Sequence, residues 1–207
     1  MFISLKISRF LHFLFPKLTF HCPNREAKLF LTFDDGPTPG VTEFVLSSLE
    51  EYKAKATFFC TGENVQAYPD LYEKIIVSGN KTGNHGWKHL DAFKVKNSTY
   101  LKEVERTEEL IGTKLFRPPY GRLWPWQYYK ICRKYKIIMW DIMFPDYKAN
   151  LDGEVVIERL FPRITEGSII VMHDSLKSSE NLYYLLPRLL EEFTRRGFIF
   201  ESIPPVD

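Results

Sequence analysis

Beyond residue 27, short apolar runs alternate with amphipathic stretches, and this alternation narrows the chain to one broad class of fold. Residues 29–33, 56–60, 81–84, 115–116, 137–140, 168–172 and 198–201 have strand character. Residues 41–52, 69–78, 98–111, 125–135, 154–161 and 181–196 have helical spacing; in the first of these Val41, Phe44, Val45 and Leu49 share a face. About seven strands separated by helices imply an α/β fold, a parallel sheet covered by helices. The polar residues decide its form. Asp34-Asp35, His85, Arg117, Asp141 and His173 each fall at or just after the end of a predicted strand. A β/α barrel gathers those ends on one face more completely than an open sheet does, so a barrel is expected.

The size suits one domain: 207 residues, 44% hydrophobic and 15% aromatic, are enough for a single substantial core. A net charge of +2 gives no electrostatic reason to expect a nucleic-acid partner. Cys22, Cys60 and Cys132 are odd in number, far apart and form no CxxC pair, so neither a disulfide framework nor a cysteine zinc site is supported. Residues 1–26 are expected to be an N-terminal extension packing on a domain at 27–207. Residues 2–20 are apolar but interrupted by Lys6, Arg9, His12 and Lys17, which is too broken for a transmembrane span. They also lack a small-residue cleavage site, which argues against a signal peptide. A helix or strand on the domain is the main expectation, with peripheral membrane contact through residues 2–20 as the second. Location is accordingly expected to be cytoplasmic or membrane-peripheral.

Asp34-Asp35 closes the apolar run 29–33, and Gly36-Pro37 then stops the strand. Adjacent carboxylates repel, so a cation should hold at least one of them. Asp35, His85 and His89 offer one oxygen and two nitrogens, leaving room for water as catalytic zinc sites do. The His-x3-His spacing would set both rings on one side of a helical turn. Histidines at this spacing also arise by accident, and Asp-Asp also serves as a helix cap or turn. Asp34 is placed to act as base and His173 as acid, its ordinary pKa being near neutrality. A core histidine satisfied by backbone is the plain alternative for His173. In Arg117-Pro118-Pro119-Tyr120-Gly121 two prolines fix the backbone, and Arg117 either anchors a carboxylate with a forked pair of bonds or makes an exposed salt bridge. Trp87, Trp124 and Trp126 follow these loops and are candidates either to stack on sugar rings or to pack in core and rim.

Thr32-Phe33-Asp34-Asp35-Gly36-Pro37, His85-x3-His89, Arg117-Pro118-Pro119-Tyr120 and Val171-Met172-His173 occur in the order seen in the polysaccharide deacetylase family. The chain resembles that family, the NodB homology domain or carbohydrate esterase family four, over roughly residues 27–204. The resemblance implies a distorted (β/α) barrel and a divalent metal, usually zinc and in some members cobalt or nickel. It makes Asp35, His85 and His89 the metal ligands, Asp34 the base oriented by Arg117, and His173 the acid. The backbone amide of Tyr120 would help bind the oxyanion. Asp146-Tyr147 resembles the family's Asp-Trp motif, with Asp146 bracing His173 and Tyr147 lining the substrate groove; Asp141 competes for the bracing role, or sits in a salt bridge. Tyr147 stands where the family usually has Trp, and Val171, expected to shape the acetyl pocket, where it usually has Leu.

The activity implied is removal of N-acetyl groups from an N-acetylated amino sugar or polysaccharide, with a carbohydrate as partner. Hydrolysis of acetylxylan or a small amide, and non-catalytic glycan binding, are the alternatives. Neither GxSxG nor a GxxxxGK[ST] or GxGxxG loop is present, which disfavours serine hydrolases and nucleotide enzymes.

Overall fold

The computed structural model describes residue 15 and residues 17–23 and 26–204. Its strands are β1 (Leu18–Thr19), β2 (Lys28–Asp34), β3 (Ala56–Cys60), β4 (Lys81–Asn84), β5 (Leu115–Phe116), β6 (Lys136–Ile138), β7 (Ile142–Met143), β8 (Ile169–His173) and β9 (Ile199–Phe200). They pair in the order β1-β6-β5-β4-β3-β2-β8-β7, with β9 beside β2, and every ladder between them is parallel. The seven expected strands are all present. β1 and β7 are additions too short to carry a periodic signal.

Between the strands run α1 (Val41–Glu51), α2 (Gly62–Ala67), α3 (Pro69–Val77), α4 (Asn97–Ile111), α5 (Pro125–Ile131), α6 (Gly153–Leu160) and α7 (Ser179–Arg195). Helix α7 buries Leu182, Leu185, Leu186, Leu189, Leu190 and Phe193 at helical spacing. These side chains pack with Leu29, Leu31 and Phe33 of β2 and Ile170 and Met172 of β8. Each such burial contributes roughly 1.5–3 kcal/mol.

The opposite face of the sheet turns inward. Phe30, Phe59, Leu115, Ile138 and Ile169, from five different strands, form one cluster, which only a strongly curled sheet allows. The curl is a distorted barrel without a continuous ring of ladders. Beyond β1, His21 pairs antiparallel with Ser168, and the Cys22 amide donates to Gly167 O at 2.9 Å, closing part of the gap. Strand β6 stops at Ile138 rather than running to Trp140, because the carbonyls of Ile138 and Met139 accept from the Arg117 guanidinium.

Of the N-terminal extension expected at 1–26, residues 1–14, 16, 24 and 25 lie outside the described residues, and so does most of the 2–20 segment considered for membrane contact. The described part supplies β1, an edge strand on β6. Among the described residues no helix is long and apolar enough to cross a membrane.

Candidate active site

Side chains alternate along a strand, so Asp34 at the end of β2 continues the inward row of Phe30 and Thr32. Arg117, fully buried just past β5, reaches it from below. Its Nη1 donates to Asp34 Oδ1 at 2.6 Å and to Thr32 Oγ1 at 2.8 Å. Nε and Nη2 donate to the carbonyls of Ile138 and Met139 at 3.2 and 3.1 Å, and the guanidinium lies 4.1 Å from the Phe59 ring centre. Burial alone would raise the Asp34 carboxyl, but Arg117, His85 and His173 hold it below the usual aspartate value. The cation demanded by two adjacent carboxylates is therefore a buried arginine with each of its three nitrogens donating to an acceptor.

Asp35 turns away from Asp34 and meets two imidazoles. Its Oδ1 is 3.7 Å from His85 Nε2 and 3.3 Å from His89 Nε2, and it is buried without a hydrogen-bond partner. His85 Nδ1 lies 2.8 Å from the Arg117 carbonyl, a contact that requires its proton on Nδ1 and leaves the Nε2 lone pair facing Asp35. Burial pushes the His85 pKa down to about 4, so the ring is neutral at pH 7. A carboxylate oxygen facing an imidazole lone pair, with no hydrogen between them, is an arrangement that a cation in the shared space would satisfy. The three donor atoms lie within 4.8 Å of one another, and the set of one oxygen and two nitrogens fits a divalent transition metal.

The turn carrying Asp35 is pinned from several sides. Its carbonyl accepts from Asn64 Nδ2 at 2.8 Å, the Gly36 amide donates to Asp174 Oδ1 at 3.0 Å, and the Thr61 amide donates to Gly36 O at 3.1 Å. Asp174 also accepts from Thr42 Oγ1 at 2.6 Å, and burial pushes its carboxyl up to about 8. Asp35 (φ 82°), His89 (φ 54°) and Tyr120 (φ 59°) all occupy the left-handed region, which non-glycine residues seldom adopt. Three strained residues in one cleft mark a place where geometry is held against local preference.

His173 ends β8 on the same inward face, its pairing partner in register being Asp34. Asp146 lies 2.7 Å from His173 Nδ1 through Oδ1 and accepts the His173 main-chain amide at 2.7 Å through Oδ2. Burial would lower the His173 pKa, but Asp146 carries it up to about 9. Asp34 and His173 thus sit side by side, one held ionised and the other held protonated.

The cleft above this cluster encloses about 480 Å3 and is lined by Asp34, Asp35, His85, His89, Tyr120, Tyr147 and His173. Sequence reasoning missed Arg122, Trp140, Met143, Ser175 and Lys177, which also line it. Most come from loops without a motif. Asp174 was missed too, although a carboxylate at a strand end is the signal that singled out Asp34.

Several expectations are corrected. The His85–His89 segment is an irregular loop, not a helical turn; positive φ at Gly86 (74°) and His89 brings the rings to 5.0 Å. Val171 is buried in β8 beneath His173 and does not line the cleft, whereas Met143, paired beside it on β7, does. Asp141 lies away from His173: it accepts from Ser168 Oγ at 2.9 Å and from the Ile169 amide at 2.8 Å. Ile169 is the opposite end of β8, roughly 13 Å along the strand. Of the two roles considered for Trp87, packing is the one found: it is buried against Arg106.

Comparison with known proteins agrees with this geometry. The family model for polysaccharide deacetylase matches residues 22–137. The chain is 31% identical over 199 residues to a peptidoglycan-N-acetylglucosamine deacetylase of Bacillus cereus, covering 90% of this chain and 91% of that one. It is 30% identical to the peptidoglycan-N-acetylmuramic acid deacetylase PdaC of Bacillus subtilis, with 89% of this chain spanning 39% of that protein. The crystal structure of the Bc1960 peptidoglycan N-acetylglucosamine deacetylase superposes with a TM-score of 0.85 at 26% identity, covering 91% of both chains. With the family's motifs folded into one cleft and its sequence and fold matched along most of its length, this chain belongs to the polysaccharide deacetylase family of hydrolases.

Proposed function

We propose that the chain hydrolyses the acetamide of an N-acetylated amino sugar within a glycan, releasing acetate and leaving a free amine. The observation that carries this reading is the orphaned Asp35 oxygen facing two imidazole nitrogens, beside a base and an acid of opposite charge preference. Asp35, His85 and His89 would hold the divalent cation, with zinc first among those to test. When bound, such a cation polarises a carbonyl and eases deprotonation of water.

Asp34, kept ionised by Arg117, takes the proton from the attacking water. The water oxygen bonds to the acetamide carbon, and charge gathers on the carbonyl oxygen, where the Tyr120 amide is offered as a donor; such a donor is worth roughly 3 kcal/mol. The carbon–nitrogen bond then breaks as His173 passes its proton to the departing nitrogen, and Asp146 steadies the imidazole throughout. Tyr147, its ring 5.4 Å from that of His173, lines the groove in which the sugar would lie.

The relatives named for peptidoglycan make acetylated amino-sugar polymers the first substrates to examine. Acetate release from peptidoglycan, N-acetylglucosamine oligomers and acetylxylan, with and without a chelator, tests the proposal. Release from the amino-sugar polymers, lost on chelation and restored by zinc, is expected. Release from acetylxylan alone, or release indifferent to chelation, would refute it.

A further inference from the structure

Phe93 and Trp124 stand beside the cleft with their rings paired, 4.6 Å between centres, yet each remains nearly half exposed (47% and 46%). Leaving two large rings half in water forgoes roughly half of the 1.5–3 kcal/mol that full burial of each would give, so a pair presented this way invites a ligand. Both rings sit on fixed backbone. The Trp124 amide donates at 2.9 Å to the side chain of Gln127, itself fully buried and bonded to Asn97, and Pro125 starts α5 immediately after. The Phe93 amide donates to Asp91 Oδ1 at 2.9 Å.

Asp91 links this pair to the active site. Its second oxygen accepts from Arg122 Nη1 at 3.3 Å, and Arg122 lines the cleft while lying 5.9 Å from the Phe93 ring centre. Next along the chain towards the metal ligands is Tyr120, more than half exposed, with its ring against His89. An exposed aromatic track therefore leads out of the cleft, interrupted by one guanidinium rich in donors for hydroxyl groups.

We propose that Phe93 and Trp124 form a stacking platform for sugar units of the same glycan strand beyond the unit being deacetylated. The inference rests on the glycan reading above. A pyranose ring offers an apolar C–H face to an aromatic ring and equatorial hydroxyls to Arg122. A rigid platform binds it at little entropic cost. The platform, lying past Arg122 at the edge of the cleft, makes affinity depend on chain length.

The test is binding of N-acetylglucosamine oligomers from dimer to hexamer, measured by calorimetry on the zinc-loaded protein at low temperature, with initial rates of acetate release followed separately. The wild type should gain affinity with length. Trp124→Ala and Phe93→Ala should each erase about tenfold of the dimer-to-hexamer gain. Trp124→Phe should restore most of it, separating stacking from a folding defect. Tyr129→Ala, removing an exposed ring that packs on Tyr128 rather than on Phe93 or Trp124, should leave the gain intact. Affinity that does not rise with length, or rises equally in Trp124→Ala, overturns the platform. Absence of acetate release despite length-dependent binding would instead count against the catalytic reading and leave the platform standing.

Discussion

Both carboxylate oxygens of Asp146 are spent on one residue, His173: one lies 2.7 Å from its ring nitrogen and the other accepts its main-chain amide at 2.7 Å. Ring orientation is thus set by a single buried side chain, which is also the main influence on protonation. His173 carries a proton up to about pH 9, so the acid form is present at neutrality and is lost as pH rises through that value. The rate should accordingly fall on the alkaline side near pH 9. In Asp146→Asn the largest raising influence is gone while burial and the smaller pull of Asp34 and Asp35 remain, so that limb should move down by about two units, with a loss of roughly 10²-fold in kcat at pH 8. A pH–rate profile of both proteins decides this; an unmoved limb would mean that another group sets it.

Arg117→Met should unfold more easily by about 3–5 kcal/mol in urea titration, because it leaves Asp34 charged and buried without its partner. Adding Asp34→Asn to that variant should recover part of the loss. A double variant no more stable than Arg117→Met would show that the cost lies in the lost packing on Phe59 instead.

Asp34→Asn and His173→Ala should each lower turnover by about 10²–10⁴-fold while zinc still binds, since neither belongs to the Asp35, His85 and His89 set. Zinc stoichiometry and steady-state rates on the purified variants check this together. Retention of the wild-type rate by either one removes it from the proposed chemistry.

His89→Ala should weaken zinc affinity by at least about 10²-fold. Saturating zinc should raise the wild-type melting temperature, by linkage worth about 2.7 kcal/mol at a hundredfold excess over Kd, and should raise that of His89→Ala far less. Differential scanning fluorimetry against zinc concentration reads both. Equal stabilisation of the two proteins would place the ion elsewhere.

Gly36→Ala should disturb the metal site without touching a ligand. A Cβ there would fall 2.0 Å from Asp174 Oδ2, so either the carboxylate or the Asp35 turn must move. A loss of about 1–3 kcal/mol in stability and a weaker zinc complex are expected, checked by urea titration and chelator competition. If Asp174 were merely filling space, Asp174→Ala would rescue zinc affinity in the double variant.

The α/β class, the strand ends and the members of the cluster were legible because each is written locally. An apolar run stopped by Asp-Asp-Gly-Pro, a histidine pair at fixed spacing and an arginine before two prolines need no distant residue to be noticed. Helix α2 escaped notice because its six residues hold too little periodicity, although Thr61, its cap, and Asn64 within it grip the Asp35 turn. Asp146 and Asp141 look alike as letters. Only the passage of the chain from β6 across the barrel gap sends Asp141 to the start of β8 and Asp146 to its end.

By itself, then, the sequence determined which chemical groups the protein carries and that a parallel sheet would bring its strand ends to one face, since hydrophobic period and turn chemistry act over a few residues. Tertiary structure alone decided how those groups are charged and what they touch. A proton stays on His173 and leaves Asp34, the Asp35 oxygen lacks a partner, and Val171 sinks beneath the cleft that Met143 lines. Burial and charge proximity are properties of space, set by residues 27 apart in the Asp146–His173 pair and 83 apart in the Arg117–Asp34 pair, and they exist only once the sheet has curled.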